Sequence, residues 1–237
     1  MVRHKEYIFL SSMVIVATVI MVVFGLLTDS GADFYAAFKE SKDAVCIVID
    51  AGHGGVDGGA VSCTGVYESQ INLDIALRLN DLLQLMGYQT SMIRTEDISV
   101  YTEGSSIAEK KISDLKQRVR IIKSTSNPIV VSIHQNYYTD DRYSGAQVFY
   151  AKNGKELAKL TQSLFVSTLN PGSKRKSKQA KGIYLMERIE CSGILVECGF
   201  LSNRAEEYNL RSDAYQKKIC CVIASALDQY INNSAVA

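Results

Sequence analysis

Six short apolar runs, separated by polar and glycine-containing stretches, set the frame of this 237-residue chain. Residues 45–50 read Val-Cys-Ile-Val-Ile-Asp, a continuous apolar run of the kind that forms a strand buried on both faces. Residues 88–94, 129–134, 145–151, 182–186 and 194–197 predict the other strands; Pro128 introduces the third, and 145–151 alternates as a strand should. Between them, Ile71, Ile75, Leu79 and Leu82-Leu83 recur at helical spacing, which predicts a helix over 68–86 stopped by Gly87. Further helices are predicted over 113–124, with Ser113 as N-cap, over 156–169, and over 215–231 as an amphipathic closing helix. Residues 52–65 form a glycine-rich loop, and 95–112, with no period, a surface loop. Strands that alternate with helices and stay apolar throughout predict an α/β fold: a mixed, largely parallel sheet sandwiched by helices.

The first residues break this pattern. Arg3 and Lys5 precede an uncharged, mostly apolar run over 7–27, about the length that spans a bilayer. That length favours a retained N-terminal transmembrane anchor with the domain exported. A cleaved signal peptide is the competing reading, with Ser30-Gly31-Ala32 as its cleavage site, and a buried core helix is the third. The expected organisation is therefore an anchor or signal segment with a short linker over 1–32 and a single domain over 44–233. Composition adds exclusions. Apolar content of 47% rules out disorder, and Lys+Arg 26 against Asp+Glu 25 leaves no basic excess for a nucleic-acid partner. The six cysteines include no CxxC pair, which argues against a thiolate metal site. Cys46, Cys198 and Cys220-Cys221 fall in predicted buried elements and read as small hydrophobes with free thiols.

The polar residues that interrupt the apolar runs carry the chemistry. Of three histidines, His4 precedes the anchor, His53 follows the first strand and His134 ends the third. Glu197 ends the last strand after Ile194-Leu195-Val196, so all three of His53, His134 and Glu197 reach the carboxyl edge of the sheet, where such folds place their sites. Ionisable groups on an apolar rim are costly to bury alone, and a shared metal is one compact solution. A hydrolytic zinc site uses three protein ligands and a separate general base. His53, His134 and Glu68, which starts the first long helix, are the expected zinc ligands; Glu197 is the expected base. Each also has a plainer reading: a turn residue for His53, a strand-end residue for His134, a complement to the positive helix end for Glu68. The loop Gly52-His53-Gly54-Gly55-Val56-Asp57-Gly58-Gly59 is not a dinucleotide fingerprint or a P-loop, because its spacing is wrong and no Lys-Ser/Thr closes it. The basic run Lys174-Arg-Lys-Ser-Lys178 with Lys181 is either a solvated loop or a contact with an anionic wall or membrane surface.

At Ile49-Asp-Ala-Gly-His-Gly-Gly55, Glu68 with Asn72-Leu73, Arg94, Ser132-Ile-His-Gln-Asn136 and Leu195-Val-Glu-Cys-Gly-Phe-Leu-Ser-Asn203, the chain resembles the zinc N-acetylmuramoyl-L-alanine amidases of the amidase-3 type. The resemblance runs from about residue 45 to 231. It implies His53, Glu68 and His134 as zinc ligands, Glu197 as catalytic carboxylate, and a peptidoglycan substrate cut between N-acetylmuramic acid and L-alanine. Ala51, Gln135, Tyr137 and Ser192-Gly193 depart from the common pattern without touching the site residues. Asp114-Leu-Lys-Gln-Arg118-Val and Gly182-Ile-Tyr-Leu-Met186, with the short anchor, look like the germination-specific subgroup of endospore formers. That likeness implies an extracytoplasmic enzyme of the spore cortex, anchored or secreted, with an activating or accessory protein as an expected partner. A catalytically silent wall-binding scaffold and a zinc peptidase acting on the stem peptide are the alternatives.

Overall fold

The computed structural model describes residues 45–234. The predicted anchor over 7–27 lies outside the described residues, and no helix among the described residues is long and apolar enough to cross a membrane.

In chain order the elements are β1 (Cys46–Ala51), α1 (Glu68–Leu85), β2 (Gln89–Met92), α2 (Ile107–Ser124), β3 (Pro128–Asn136), β4 (Gln147–Tyr150), α3 (Lys155–Thr168), β5 (Lys178–Gln179), α4 (Tyr184–Arg188), β6 (Gly193–Phe200), α5 (Arg204–Leu210) and α6 (Asp213–Ser234). The strands form one sheet in the order β2-β1-β3-β6-β4-β5. β2, β1, β3 and β6 run parallel, and β4 enters antiparallel to β6. The sheet is thus mixed and largely parallel, as the apolar runs require.

Each central strand divides its side chains between two cores. Ile47, Ile49, Ile133 and Val196 pack with Ile71, Ile75 and Leu79 of α1, Phe165 of α3 and Ile223 of α6. Val48, Val130 and Leu195 face the other way, onto Val119 and Ile122 of α2 and Leu185 and Met186 of α4. The thinner side is the one that carries the polar interruptions.

Four expectations are corrected. α2 begins at Ile107, not Ser113: Ser106 caps it, its Oγ accepting from the Glu109 N–H at 3.2 Å while Glu109 Oε2 accepts from the Ser106 N–H at 3.0 Å. Ile107 and Ile112 are exposed, so no apolar period marks this first part. Ser113 lies buried inside the helix, where its hydroxyl accepts from the Thr102 and Glu103 N–H groups at 3.1 and 3.2 Å. Second, 182–186 is not a strand; Gly182 turns at φ +74 and its N–H donates to Glu187 Oε1 at 2.6 Å, folding the chain into α4. Third, Glu197 and His134 do not end their strands, which continue to Phe200 and Asn136. Fourth, Cys220 is buried but its neighbour Cys221 is exposed, because a helix turns adjacent residues to different sides, and Cys46, at the first position of β1, is only half-buried. Two elements went unpredicted: the short edge strand β5, and α5, whose Asn203 cap accepts from the Ala205 and Glu206 N–H groups at 3.1 Å.

Candidate metal centre

β1 delivers the chain to the carboxyl edge of the sheet, and the next residues turn sharply. His53 sits at φ +61, a left-handed conformation that costs a non-glycine residue of order 1 kcal/mol and persists only when its surroundings fix it. Two buried arginines do so. Arg118 donates to the His53 carbonyl at 2.7 Å and the Ala51 carbonyl at 2.9 Å. Arg94 donates to the carbonyls of Ala51 at 2.8 Å and Gly52 at 3.1 Å. Arg118 is itself paired with Asp50 and, at 2.6 Å, with Asp114. Burial opposes charge on Asp50, yet Arg118 and the Ser132 hydroxyl, donating at 2.6 Å, hold its carboxyl below the usual range.

Glu68 opens α1 and is 3% exposed. Its Oε2 accepts from the Ala60 N–H at 3.0 Å and its Oε1 from the Gln135 N–H at 3.1 Å. Oε2 also lies 3.3 Å from His53 Nε2, and Oε1 lies 3.0 Å from His134 Nδ1. The other nitrogen of His53, Nδ1, is held by Asp57 Oδ2 at 2.9 Å, the carboxylate–histidine arrangement that orients a metal ligand. Two glycines make room. A Cβ on Gly52 would lie 2.2 Å from the His134 ring, and one on Gly59 2.6 Å from Glu68 Oε2.

His53, Glu68 and His134 thereby offer ligand atoms that all lie within 4.8 Å of one another. The donor set, two imidazoles and a carboxylate converging from three chain segments, fits a metal ion. Burial would depress His53, but its bonds to Asp57 and Glu68 outweigh this and raise it to about 9. Burial likewise opposes charge on Glu68, and the two histidines override it, holding the carboxylate well below its ordinary value.

Glu197 is treated differently. It is the Cα partner of His134 across β3 and β6, so both side chains project from the same face of the sheet. Its Oε2 is buried with no hydrogen-bond partner among the described residues. Burial, reinforced by Glu68, pushes its carboxyl up to about 7 against the pull of His134 and His53. A cavity of about 210 Å³ opens beside the cluster, lined by His53, His134, Lys111, Ile183, Tyr184 and Leu195.

All four predicted site residues therefore meet at one place. What sequence reasoning left without a role is the support: Asp50, Asp57, Ser132, Arg94 and Arg118. Asp50 and Ser132 did carry a signal, as polar residues in otherwise apolar strands.

A family model described as N-acetylmuramoyl-L-alanine amidase matches residues 47–229. The chain belongs to that family. It is 38% identical over 189 residues to the germination-specific N-acetylmuramoyl-L-alanine amidase of Bacillus subtilis, covering 78% of each chain. Among solved structures, the CwlD amidase of Clostridioides difficile, in complex with the GerS lipoprotein, superposes with TM-score 0.76 at 35% identity, over 79% of this chain and 98% of that one. An amidase of Nostoc punctiforme follows at TM-score 0.69 and 26% identity, over 81% and 98%.

Proposed function

We propose that this chain hydrolyses the amide bond between N-acetylmuramic acid and the L-alanine of the peptidoglycan stem peptide, using zinc held by His53, Glu68 and His134. The observation that carries the reading is Glu197: a half-buried carboxylate whose Oε2 is buried and has no partner among the described residues, paired with His134 on the neighbouring strand, in a chain of the amidase family. Zinc in this site would supply a Lewis acid for the amide carbonyl and lower the pKa of the attacking water. Glu197, which stands across from the proposed ligand His134, takes that water's proton and returns it to the leaving amine, the role of a general base and then acid. Asp57 keeps the His53 ring turned so that Nε2 faces Glu68. Arg94 and Arg118 hold the backbone beneath His53 and so fix where the imidazole stands.

The finer assignment, action on spore cortex outside the cytoplasm, follows the likeness to a germination-specific amidase; the catalytic domain over 44–233 and an anchor over 7–27, with a cleaved signal peptide as the second reading, rest on the sequence alone. The relative solved with a lipoprotein supports an accessory lipoprotein partner for this chain as well. The test is paired zinc content and stem-peptide release for two variants. Glu197→Gln keeps zinc and loses on the order of a hundredfold or more in rate, as for removal of a general base. Glu68→Gln loses zinc together with activity. If Glu197→Gln lost zinc while Glu68→Gln kept it, the two glutamates would have exchanged roles and the mechanism would be wrong. Mass analysis of the digested muropeptides separates an amidase from a peptidase of the stem peptide. Normal muramic-δ-lactam in spores of a strain lacking the gene would remove the cortex assignment alone.

A further inference from the structure

The basic run over 174–181 is not a loosely solvated loop. Arg175 donates from Nε to the Ser144 carbonyl at 3.0 Å and lies over the Phe200 ring, 5.0 Å from its centroid. The Lys176 carbonyl accepts from Gln147 Nε2 at 2.8 Å. Lys178 and Gln179 form β5 against Phe149 and Tyr150, and the Ala180 N–H donates to the Tyr150 carbonyl at 2.9 Å. Exposure alternates along this segment: Lys174, Lys176 and Lys178 face solvent while Arg175 and Ser177 turn inward. In near-extended chain that spaces three ammonium groups on one side at intervals of roughly 7 Å. No Asp or Glu occurs in the sequence between Glu156 and Glu187.

The middle of the segment and its carboxyl end both lead toward the proposed active site. Gln147, which grips Lys176, is the Cα partner of Glu197. Past Lys181 the chain runs into Gly182, Ile183 and Tyr184, which line the cavity beside His53 and His134. Phe200, under Arg175, belongs to an aromatic group with Tyr143 and the half-exposed Tyr138, beyond the His134 end of β3.

We infer that Lys174, Lys176, Lys178 and Lys181 form a cationic rail that holds the carboxylates of neighbouring stem peptides on the same glycan strand while one amide lies at Glu197. The wall polymer is the committed partner because the rail leads into the substrate cavity and because its repeating acids match a repeating row of cations. This rests on the amidase reading, and the rail would make the enzyme prefer polymer over a single muropeptide.

The experiment compares wild type with a variant carrying Lys174→Gln, Lys176→Gln and Lys178→Gln. A control loses the same charge elsewhere, through Lys152→Gln, Lys155→Gln and Lys218→Gln, all exposed. Three lost surface contacts should lower kcat/KM on intact glycan strands on the order of tenfold, mainly through KM. The wild-type sensitivity to salt should flatten. Rates on a soluble muramyl peptide, and the control variant on both substrates, should stay unchanged. Equal losses on both substrates, no loss on polymer, or an equal loss in the control would each overturn the rail. So would retained polymer turnover alongside lost binding to phosphatidylglycerol vesicles, which would make the segment a membrane contact. Should wild type cleave neither substrate, the amidase reading fails by itself. Co-sedimentation with purified sacculi, retained by wild type and lost by the rail variant, then still decides the rail.

Discussion

The two faces of the central sheet are built from the same strands and do opposite work. On one face, Ile47 and Ile49 of β1, Ile133 of β3 and Val196 of β6 are buried among the side chains of α1, α3 and α6, and a polar residue, Gln135, enters near the carboxyl end of β3, where it donates to Asn72 of α1. On the other, Val48, Val130 and Leu195 give way toward the carboxyl ends to Asp50, Ser132, His134 and Glu197. Because side chains alternate at period 2, one strand can send its stabilising residues one way and its reactive residues the other. The apolar face therefore makes it affordable for the reactive face to carry several charges in a buried setting.

Perturbing each face separately tests that division. The largest effect is expected at Arg118→Met, which leaves Asp50 buried without its cation: about 3–5 kcal/mol of unfolding free energy lost, measured by denaturant titration. On the apolar face Ile194→Ala, at a fully buried position, should cost about 2–5 kcal/mol while zinc bound per folded chain stays the same. Loss of zinc in that variant would show that the two faces are coupled. A pH scan gives a finer contrast. In metal-free protein the His53 pKa is raised from 6.5 to about 9, so folding favours its protonated form. That stabilisation is fully present below about pH 6.5 and is lost as pH rises through about 9, giving a fall in Tm over that window. Zinc-loaded protein, in which His53 must be neutral to bind the metal, should lack this fall. The smallest effect is Ser106→Ala at the start of α2, about 1 kcal/mol, because it removes only the cap of the helix that carries Arg118. Zinc content in this variant should hold.

The same division explains what the sequence made legible. Apolar runs such as 45–50 and 129–134 announce buried strands, and a charged residue after such a run, as at Glu197, announces a site. Roles for Arg94 and Arg118 stayed hidden because their partners lie far away in sequence: Arg118 meets Asp50 across 68 positions and Arg94 meets Ala51 across 43. The start of α2 stayed hidden for a local reason, since Ile107 and Ile112 point to solvent and blur the helical period. Its Ser106…Glu109 signature was nevertheless present in the residues. The apolar run over 182–186 misled because Leu185 and Met186, adjacent and both buried, satisfy a short helix as well as a strand.

The close approach of the Gly52 backbone to the His134 ring bears on how the ion arrives. With less than a methyl group's room on that side and Glu68 Oε1 at 3.0 Å on another, the imidazole has almost no rotamers to choose among. Glu68 is likewise tied by two backbone N–H groups, from Ala60 and Gln135, that owe nothing to a metal. The ligands are therefore set when the chain folds, and the ordering entropy is spent then, before any ion is present. Uptake should accordingly behave as ligand exchange at a rigid socket. Stopped-flow mixing with zinc would show one bimolecular phase and no slow isomerisation, and chelation would leave the far-ultraviolet circular dichroism unchanged, unlike small domains that unfold when their metal is withdrawn.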